Sequence, residues 1–317
     1  MPAGPKVSII MAAYRAASTI GAAIASCMCQ TEPDFEVIIV DDASPQSLAP
    51  AVEAEAAGDK RIRFERLGSN AGPSGARNRA LELAQGEFIA ILDADDSMQP
   101  DRLQRLLEAA KQYKADIVVD NMIANRIDGE AVTQALFLDP QRVDDHQTIS
   151  LADYIDPASD EFFGQPLGYL KPLIRTDVIR RGAVRYDLSL TNSEDYYLIA
   201  ELLALGAKME LIGYAGYNYT VQAGSISHRL VPAQTGAILE AERAFQTRHA
   251  GRLSQIAKKA GQARLRHWRN MHEFETLIDK LKQRSLLGFT AQLLRNPATM
   301  PRHLGRLSQI AWNKLSS

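Results

Sequence analysis

The first 121 residues alternate between short apolar runs and longer segments whose apolar positions are spaced as in a helix. Five runs have the length and composition of buried strands: "KVSIIMAAY", "FEVIIVDD", "RIRFERL", "FIAILDA" and "ADIVVDN". Four segments between them show helical spacing: "STIGAAIASCMCQ", "LAPAVEAEAAG", "PSGARNRALELAQ" and "PDRLQRLLEAAKQY". This alternation predicts an α/β fold with a mostly parallel, Rossmann-like sheet that helices cover on both faces.

The pattern changes twice further along the chain. From about 122 to 230, strands and helices become shorter and richer in aromatic and turn residues, as in "FFGQPLGYLKP", which is typical of the second wall of a cleft. Beyond Val231 the spacing becomes helical again. We therefore predict an α/β half at 1–121, a second half of the same domain at 122–230 and a helical extension at 231–317.

Charge is unevenly distributed between the two ends of the chain. Residues 228–317 hold 16 Lys and Arg against 5 Asp and Glu, a net charge of +11, whereas residues 1–227 carry −13. No acidic residue follows Lys280. A basic extension on an acidic body predicts an anionic partner surface, such as a membrane or a nucleic acid. No nucleic-acid recognition motif accompanies the charge, so we expect no nucleic-acid partner.

Membrane-spanning and export segments are not expected. No apolar run approaches the roughly 18 residues that a spanning helix requires, and the N-terminal "MPAGPKVSII" is too short for a signal peptide. The sequence therefore predicts a cytoplasmic location. Cys27 and Cys29 lie two apart in a predicted helix and point in different directions, so we expect neither a disulfide nor a metal site there.

Polar side chains directly follow three predicted strands: Tyr14 the first, Asp41 and Asp42 the second, and Asp93, Asp95 and Asp96 the fourth. Ligands bind beyond the carboxyl ends of the strands in an open α/β sheet, so these residues are expected to line one crevice. Adjacent carboxylates raise one another's pKa unless a cation neutralises them, which favours a bound Mg²⁺ or Mn²⁺. Alternatively, Asp96 caps the next helix, and Asp41 and Asp42 form an ordinary turn.

Two longer stretches, "VSIIMAAYRAASTIGAAIASCMCQTEPDFEVIIVDDASPQS" and "NAGPSGARNRALELAQGEFIAILDADDSMQPDRL", resemble the nucleotide-sugar-binding half of the family-two glycosyltransferases with the GT-A fold. The resemblance covers roughly residues 6–121, and "NSEDYYLIAELLALG" is similar to a downstream acidic motif of that family. The opening "MAAYRAASTIGAAIAS" and the basic extension further resemble transferases of rhizobial exopolysaccharide assembly, of the succinoglycan kind. The proline that usually follows the first strand is replaced by Met11 or Ala12.

The resemblance implies a role for each motif. The residues implied to bind the nucleotide sugar are Ala12, Tyr14, Asp41, Asp42, Asn70, Gly72, Arg77, Asp93 and Ala94. Ala12 and Tyr14 would meet the uracil ring, and Asp42 would accept its N–H. Arg77 would face a phosphate or the base, unless it is only a helix-surface residue. The metal ligands would be Asp95, as the main one, with Asp93 and Asp96.

Glycosyl transfer explains why carboxylates are needed on both sides of a cleft. A metal that bridges the two phosphates neutralises charge that grows as the diphosphate leaves. The acceptor hydroxyl loses a proton, so a carboxylate base is expected opposite the diphosphate. By the motif, Asp195 is this base and Glu194 orients the acceptor; alternatively, Asp195 caps the following helix. One base implies a single displacement with inversion, because no nucleophile for a double displacement can be placed.

The segment "QAGSISHRL" is a further candidate for the site. Ser227, His228 and Arg229 would belong to a loop that closes over the diphosphate or contacts the acceptor; alternatively, the segment is a polar turn that caps a helix. Lys171 and Arg175, near "GYLKPLIR", are weaker candidates for acceptor contacts.

The resulting hypothesis is an inverting, metal-dependent hexosyltransferase. It would move a sugar, glucose or galactose, from a UDP-sugar to a lipid-linked oligosaccharide acceptor for an extracellular polysaccharide. Apolar and basic positions alternate at helical spacing in the tail: Leu304, Leu307, Ala311 and Leu315 with Arg302, Arg306, Lys314 and Trp312. Such a helix would lie on the cytoplasmic face of the inner membrane, or else pack on the protein's own body or a second subunit in an oligomer.

Other classes of protein fit less well. A catalytically silent glycan- or nucleotide-binding subunit could lose Asp95 or Asp195 freely, yet both are present. A dehydrogenase or a sugar nucleotidyltransferase would need a glycine-rich turn after the first strand, and "MAAYRAAS" has none.

Overall fold

The computed structural model describes residues 4–128, 131–221 and 230–295, together with residues 301 and 305. The described strands form one ten-stranded mixed sheet. They are β1 (Val7–Ala13), β2 (Phe35–Asp41), β3 (Ile62–Arg66), β4 (Phe88–Ile91), β5 (Ser97–Met98), β6 (Ile117–Asp128), β7 (Ala131–Leu136), β8 (His146–Ile149), β9 (Leu173–Arg175) and β10 (Met209–Val221). The helices are α1 (Ile20–Met28), α2 (Ala49–Ala56), α3 (Gly72–Leu83), α4 (Arg102–Tyr113), α5 (Leu151–Ile155), α6 (Pro157–Phe163), α7 (Thr176–Gly182), α8 (Glu194–Ala204), α9 (Pro232–His249), α10 (Gln255–Lys282) and α11 (Leu286–Arg295).

Four neighbouring strands, in the order β3-β2-β1-β4, are all parallel. Every side chain of β2 is buried, as are all but one of β1, so both faces of this part of the sheet are covered. Parallel strands buried on both faces form continuous apolar runs, which explains the strength of the sequence signal. The carboxyl ends of β1, β2 and β4 lie along one edge of the sheet. The predicted α/β fold is confirmed.

The sheet continues differently from the simple prediction. The strand predicted at "ADIVVDN" is β6, and it does not pair with β4; the short strand β9 lies between them, antiparallel to both. Ala90 pairs with Leu173, so the residues just before β9 lie beside the carboxyl end of β4. With only three residues, β9 is too short to show periodicity, and sequence could not place it. The sheet therefore runs through both predicted halves of the domain.

The C-terminal helices α9 and α10 pack against the body of the protein. Ile238 and Phe245 of α9 are buried, as is Trp268 of α10, and the Tyr197 hydroxyl of α8 lies 3.2 Å from the Ile238 carbonyl oxygen. The predicted helical character of the extension holds over these described helices. Arg302 and the other amphipathic positions named from Leu304 to Leu315 lie outside the described residues, as do Ser227, His228 and Arg229.

Within the described ranges, no helix combines the length and the apolar character needed to cross a membrane. Both cysteines are free thiols, Cys27 buried and Cys29 exposed.

Candidate active site

The loop that leaves β4 carries the acidic cluster, and β10 holds this loop in place. The Tyr217 hydroxyl donates to Asp96 Oδ2 at 2.7 Å and accepts from the Asp93 backbone N–H at 3.1 Å. The Thr220 backbone N–H donates to Asp96 Oδ1 at 2.7 Å. Burial, followed by the neighbouring Asp93 and Asp95 charges, raises the pKa of Asp96 to about 8. Asp96 thus anchors the loop to β10 with both carboxylate oxygens and is neither a helix cap nor an open metal ligand.

A buried ion pair lies beneath this loop. Arg102 and Asp120 are both fully buried, with Arg102 Nη2 2.8 Å from Asp120 Oδ1. Arg102 also donates to the Lys171 carbonyl and lies over the Tyr217 ring. The backbone N–H of Gly216 donates to the other oxygen of Asp120 at 3.0 Å. This pair supports Lys171 and Tyr217, two of the residues that contact the acidic loop directly.

Lys171 joins the two acidic motifs that the sequence separates by about a hundred residues. Its Nζ lies 2.8 Å from Asp93 Oδ2 and 2.9 Å from Asp195 Oδ2. The antiparallel course of β9 explains this position, since Lys171 just precedes β9 and so lies at the carboxyl end of β4. Burial lowers the pKa of Lys171, but the Asp195 and Asp93 charges outweigh burial, so its pKa is raised and the ammonium is retained.

Arg77 of α3 completes the cluster. Its guanidinium donates to Glu194 Oε1 at 2.6 Å and to Asp93 Oδ1 at 2.7 Å, and it lies 3.6 Å from Asp195 Oδ2. The residue is 6% exposed, so the alternative of a helix-surface arginine is wrong. The guanidinium is directed at carboxylates here, rather than at the phosphate or base that the family resemblance implies.

Asp195 lies in the first turn of α8, where the helix dipole favours a negative charge. Ser193 occupies the N-cap position, so Asp195 is not the helix cap. Burial raises the pKa of Asp195, but Arg77 and Lys171 outweigh burial, and its pKa is lowered. Its Oδ1 is buried and pairs with neither Lys171 nor Arg77. Burial, the Asp195 charge and a hydrogen bond with the Asp195 carboxylate raise the pKa of Tyr186, so the Tyr186 hydroxyl is a further neighbour of the expected base.

The residues expected to bind the nucleotide lie beyond β1 and β2. The Asp42 carboxylate accepts from the Ala71 backbone N–H at 2.6 Å, and Asn70 donates to the Asp42 carbonyl at 3.0 Å. Gly72 has φ +74, with open space where a Cβ would lie, so glycine is needed for its backbone conformation and not for close approach. Tyr14 is 45% exposed at the end of β1.

Two further members of this group are covered. Asp41 is fully buried and accepts from the Ser44 backbone N–H at 3.0 Å, so it stabilises the turn after β2, as the alternative interpretation held. Ala94 is buried and Ala12 half-buried.

A cavity of about 750 Å³ opens over the ion-pair cluster. One side of it is formed by Arg77, Asp93, Asp95, Lys171, Glu194 and Asp195. Its other side includes Tyr169, Tyr219, Arg264, His267 and Trp268. Over the described part of the chain, Tyr14, Asp42 and Asn70 do not line it. The structure therefore brings the acidic loop, Arg77 and the Asp195 motif into one cavity and places Tyr14, Asp42 and Asn70 outside it.

Comparisons with known proteins identify the family. The profile of "Glycosyl transferase family 2" matches residues 8–158. The succinoglycan biosynthesis protein ExoO of Rhizobium meliloti is 36% identical over 95% of this chain and 84% of its own length. The chain belongs to glycosyl transferase family 2. The resemblance read from the motifs is thereby confirmed, including its narrower part, since the succinoglycan biosynthesis protein ExoU of the same organism is 31% identical over 94% of this chain and 86% of its own.

Other members and solved structures extend the picture. The Escherichia coli protein WfaP, named UDP-Glc:alpha-D-GlcNAc-diphosphoundecaprenol beta-1,3-glucosyltransferase, is 28% identical over 70% of this chain and 79% of its own. S. aureus TarS 1–349, solved with UDP-GlcNAc, shares the fold with a TM-score of 0.63 at 16% identity, covering 92% of each chain. The Pyrobaculum calidifontis mannosyltransferase PcManGT, solved with GDP-Man and Mn²⁺, has a TM-score of 0.58 at 17% identity, covering 98% of this chain and 81% of its own. The GT-A type fold is confirmed.

The acidic loop of this family-2 member fits a divalent ion through one residue. Asp95 is exposed, lines the cavity and accepts no hydrogen bond from another described residue. Asp93 is paired with Lys171 and Arg77, and Asp96 with β10. In the described ranges, no three His, Cys, Asp or Glu side chains form a metal cluster. Asp95 therefore suits an ion that takes its other ligands from water and substrate phosphates, as Mg²⁺ commonly does.

Several residues of the site were missed or undervalued by sequence reasoning. Lys171 was only a weak acceptor candidate, yet it is the centre of the ion-pair cluster. Tyr217 and Thr220 looked like ordinary strand residues. Arg264 and Trp268 lie on the far wall of the cavity, but from the sequence they were predicted only to be part of a basic helix. No local signal distinguishes these residues, because each reaches the site through a long-range contact.

Proposed function

We propose that this family-2 member transfers glucose from UDP-glucose to a lipid-linked oligosaccharide in exopolysaccharide biosynthesis, with inversion at the anomeric carbon. The observation that carries the proposal is that Asp95 and Asp195 line one cavity, with Lys171 and Arg77 fixing the loop and helix that bear them. The names of ExoO and ExoU support a role in succinoglycan-type assembly. The name of WfaP supports a UDP-glucose donor and a diphosphoundecaprenol-linked acceptor.

The donor nucleotide would bind beyond β1 and β2. Tyr14 offers an exposed ring, and the Asn70–Gly72 turn is held against Asp42. TarS, with the same fold, was solved with a UDP-sugar. Asp95 would hold Mg²⁺ or Mn²⁺, and PcManGT, again with this fold, was solved with Mn²⁺. When bound, the ion neutralises charge on the diphosphate as the sugar departs.

Asp195 would act as the general base. The acceptor hydroxyl gives its proton to Asp195, its oxygen bonds to the anomeric carbon, and the bond from that carbon to the diphosphate oxygen breaks, releasing UDP. The lowered pKa keeps Asp195 ionised before the reaction. Lys171 and Arg77 fix its orientation through Oδ2. Glu194, bonded to Arg77, holds the guanidinium in place.

The extension would bring this chemistry to the cytoplasmic face of the inner membrane. Leu287 and Leu294 of α11 are 87% and 69% exposed, and the sequence around them has basic but no acidic residues. Such a surface attracts anionic lipids. Flotation with vesicles of anionic or neutral lipid tests this part. Binding to anionic vesicles that is lost in Leu287→Ser/Leu294→Ser supports it, and equal partition with both vesicle types counts against it.

The decisive experiment separates donor binding from chemistry. Purified protein is mixed with Mg²⁺ or Mn²⁺ and a panel of UDP-, GDP- and dTDP-sugars, and binding and turnover are measured. We expect metal-dependent UDP-glucose binding that Asp95→Ala abolishes. Asp195→Asn should bind the donor normally and lose about 10²- to 10⁴-fold in turnover, the usual contribution of a general base.

Asp177→Ala is the matched control, because Asp177 is an exposed carboxylate on α7 that is absent from the cavity lining. If no nucleotide sugar binds with either metal, the chain is a silent binding protein with this fold, and the proposal fails.

A further inference from the structure

The helical extension contributes to the cavity itself. Arg264, His267 and Trp268 of α10 line it opposite the ion-pair cluster, beside Asp160 of α6. At about 750 Å³, the cavity has the size of a pocket for a small ligand. Asp195, the expected base, and the α10 residues therefore face the same space, although Trp268 follows Asp195 by more than seventy positions in the sequence.

The wall of α10 has a fixed position relative to the catalytic helix α8. The guanidinium of Arg264 lies over the Tyr196 ring, 3.6 Å from its centroid, and Tyr196 directly follows Asp195. The Tyr197 hydroxyl donates to Glu242 of α9 at 3.0 Å, and Arg264 Nε lies 3.5 Å from the same carboxylate oxygen. These contacts join α8, α9 and α10, so the wall is preorganised with respect to the expected base.

The chemistry of the wall matches a saccharide. Aromatic side chains, among them Trp268 and Tyr169, line this wall, and aromatic rings suit the C–H face of a pyranose. Asp160, Arg264 and His267 offer charged or polar groups that suit its hydroxyls. An apolar wall with a few placed polar groups is the usual design of a selective pocket.

One donor on this wall lacks a hydrogen-bond partner. Trp268 is 9% exposed, and within the described ranges its Nε1 makes no hydrogen bond, whereas Arg264 Nε is paired with Glu242. Buried donors are nearly always paired in folded proteins, so an orphaned indole N–H beside a cavity indicates a ligand with an acceptor oxygen.

We propose that α10 supplies the binding subsite for the acceptor sugar. A pyranose ring stacks on Trp268, its hydroxyls bond to Arg264 and Asp160, and the hydroxyl to be glycosylated points towards Asp195. The inference rests on the proposed glycosyl transfer and adds to it a specific role for the extension, which becomes part of the acceptor site.

The test compares transfer with donor hydrolysis in the same preparations, using UDP-glucose with octyl β-glucoside and octyl β-galactoside as acceptor probes. Trp268→Ala should lower the ratio of transfer to hydrolysis about tenfold or more, as truncating a buried aromatic anchor commonly does. Trp268→Phe, which keeps a ring and removes the N–H, should lower the ratio less. Arg269→Ala is the matched control, because Arg269 is an exposed residue of the same helix that is absent from the cavity lining.

A fluorescence binding measurement tests the subsite even with an acceptor probe that is bound but not glycosylated. The chain has two tryptophans, so Trp312→Phe leaves Trp268 as the only indole fluorophore. Saturable quenching by either glycoside supports the subsite. An unchanged ratio in Trp268→Ala, or no quenching and no transfer with either probe while UDP-glucose is hydrolysed, overturns this inference alone. Failure of the wild-type protein to bind any nucleotide sugar overturns the proposed function as well.

Discussion

Replacing Lys171 by Met tests whether one cation holds the two acidic motifs together. Lys171 Nζ lies 2.8 Å from Asp93 and 2.9 Å from Asp195, and the side chain is 9% exposed. Methionine is of similar length and carries no charge, so the variant leaves both carboxylates facing Arg77. Arg77 is 2.7 Å from Asp93 but 3.6 Å from Asp195, so Asp195 loses its nearer cation.

The size of the effect follows from the burial of the cluster. Removing one partner of a buried ion pair costs about 3 to 5 kcal/mol, because the remaining charge stays desolvated without compensation. Arg77 still neutralises part of that charge. We therefore expect the free energy of unfolding at pH 7 to fall by about 3 kcal/mol, the lower end of this range.

The loss in Lys171→Met should depend on pH. In the wild-type protein, burial raises the pKa of Asp93 and Asp195, but Lys171 and Arg77 outweigh burial and lower both. The ionised carboxylates thus stabilise the fold above the unfolded-state pKa of about 3.9, and this stabilisation is lost as the pH falls through the lower folded-state pKa. In the variant, the folded-state pKa values of Asp93 and Asp195 are higher, so less stabilisation disappears as the pH falls. The difference between the proteins is therefore largest at neutral pH and shrinks below about pH 4.

Urea unfolding followed by circular dichroism, at neutral pH and again below pH 4, measures this difference. Lys6→Met is the control, because the Lys6 side chain is 53% exposed in its ion pair with Glu32 and should show no comparable loss. A loss in Lys171→Met below about 1 kcal/mol at pH 7, the level of a surface pair, would refute the reasoning. So would an equal loss at both pH values.

Two further predictions concern other buried charges. Asp120→Ala leaves Arg102 fully buried without its partner, so the free energy of unfolding, measured by heat or urea, should fall by about 3 to 5 kcal/mol. Asp177→Ala removes one partner of an exposed pair and should lower it by less than about 1 kcal/mol. Burial raises the pKa of Asp160 to about 6, above its unfolded value near 3.9, so ionising it destabilises the fold as the pH rises from about 4 to 6. Asp160→Asn should remove this pH dependence, which amounts to at most about 3 kcal/mol in the free energy of unfolding. Glu161→Gln changes the exposed neighbour of Asp160 and should retain the pH dependence.

Local patterns were enough to predict the α/β half and the acidic loop at its edge. The buried parallel strands β1, β2 and β4 appear as apolar runs, and a carboxylate directly after such a run must lie at the edge of the sheet. Asp95 could therefore be placed at that edge, whereas Asp195 was named only from the resemblance to the family. These features depend on residues close together in the chain, which is why sequence alone determined them.

The pairing of distant groups was decided only by tertiary structure. The three residues of β9 carry no periodic signal, yet their antiparallel insertion places Lys171 between Asp93 and Asp195. Likewise, β10 engages both oxygens of Asp96, which by spacing alone looked like a metal ligand. The basic extension was predicted from charge and helical spacing, and neither indicated that Trp268 of α10 lines the cavity. Charge and spacing show which groups are available, whereas their partners depend on chain segments that only folding brings together.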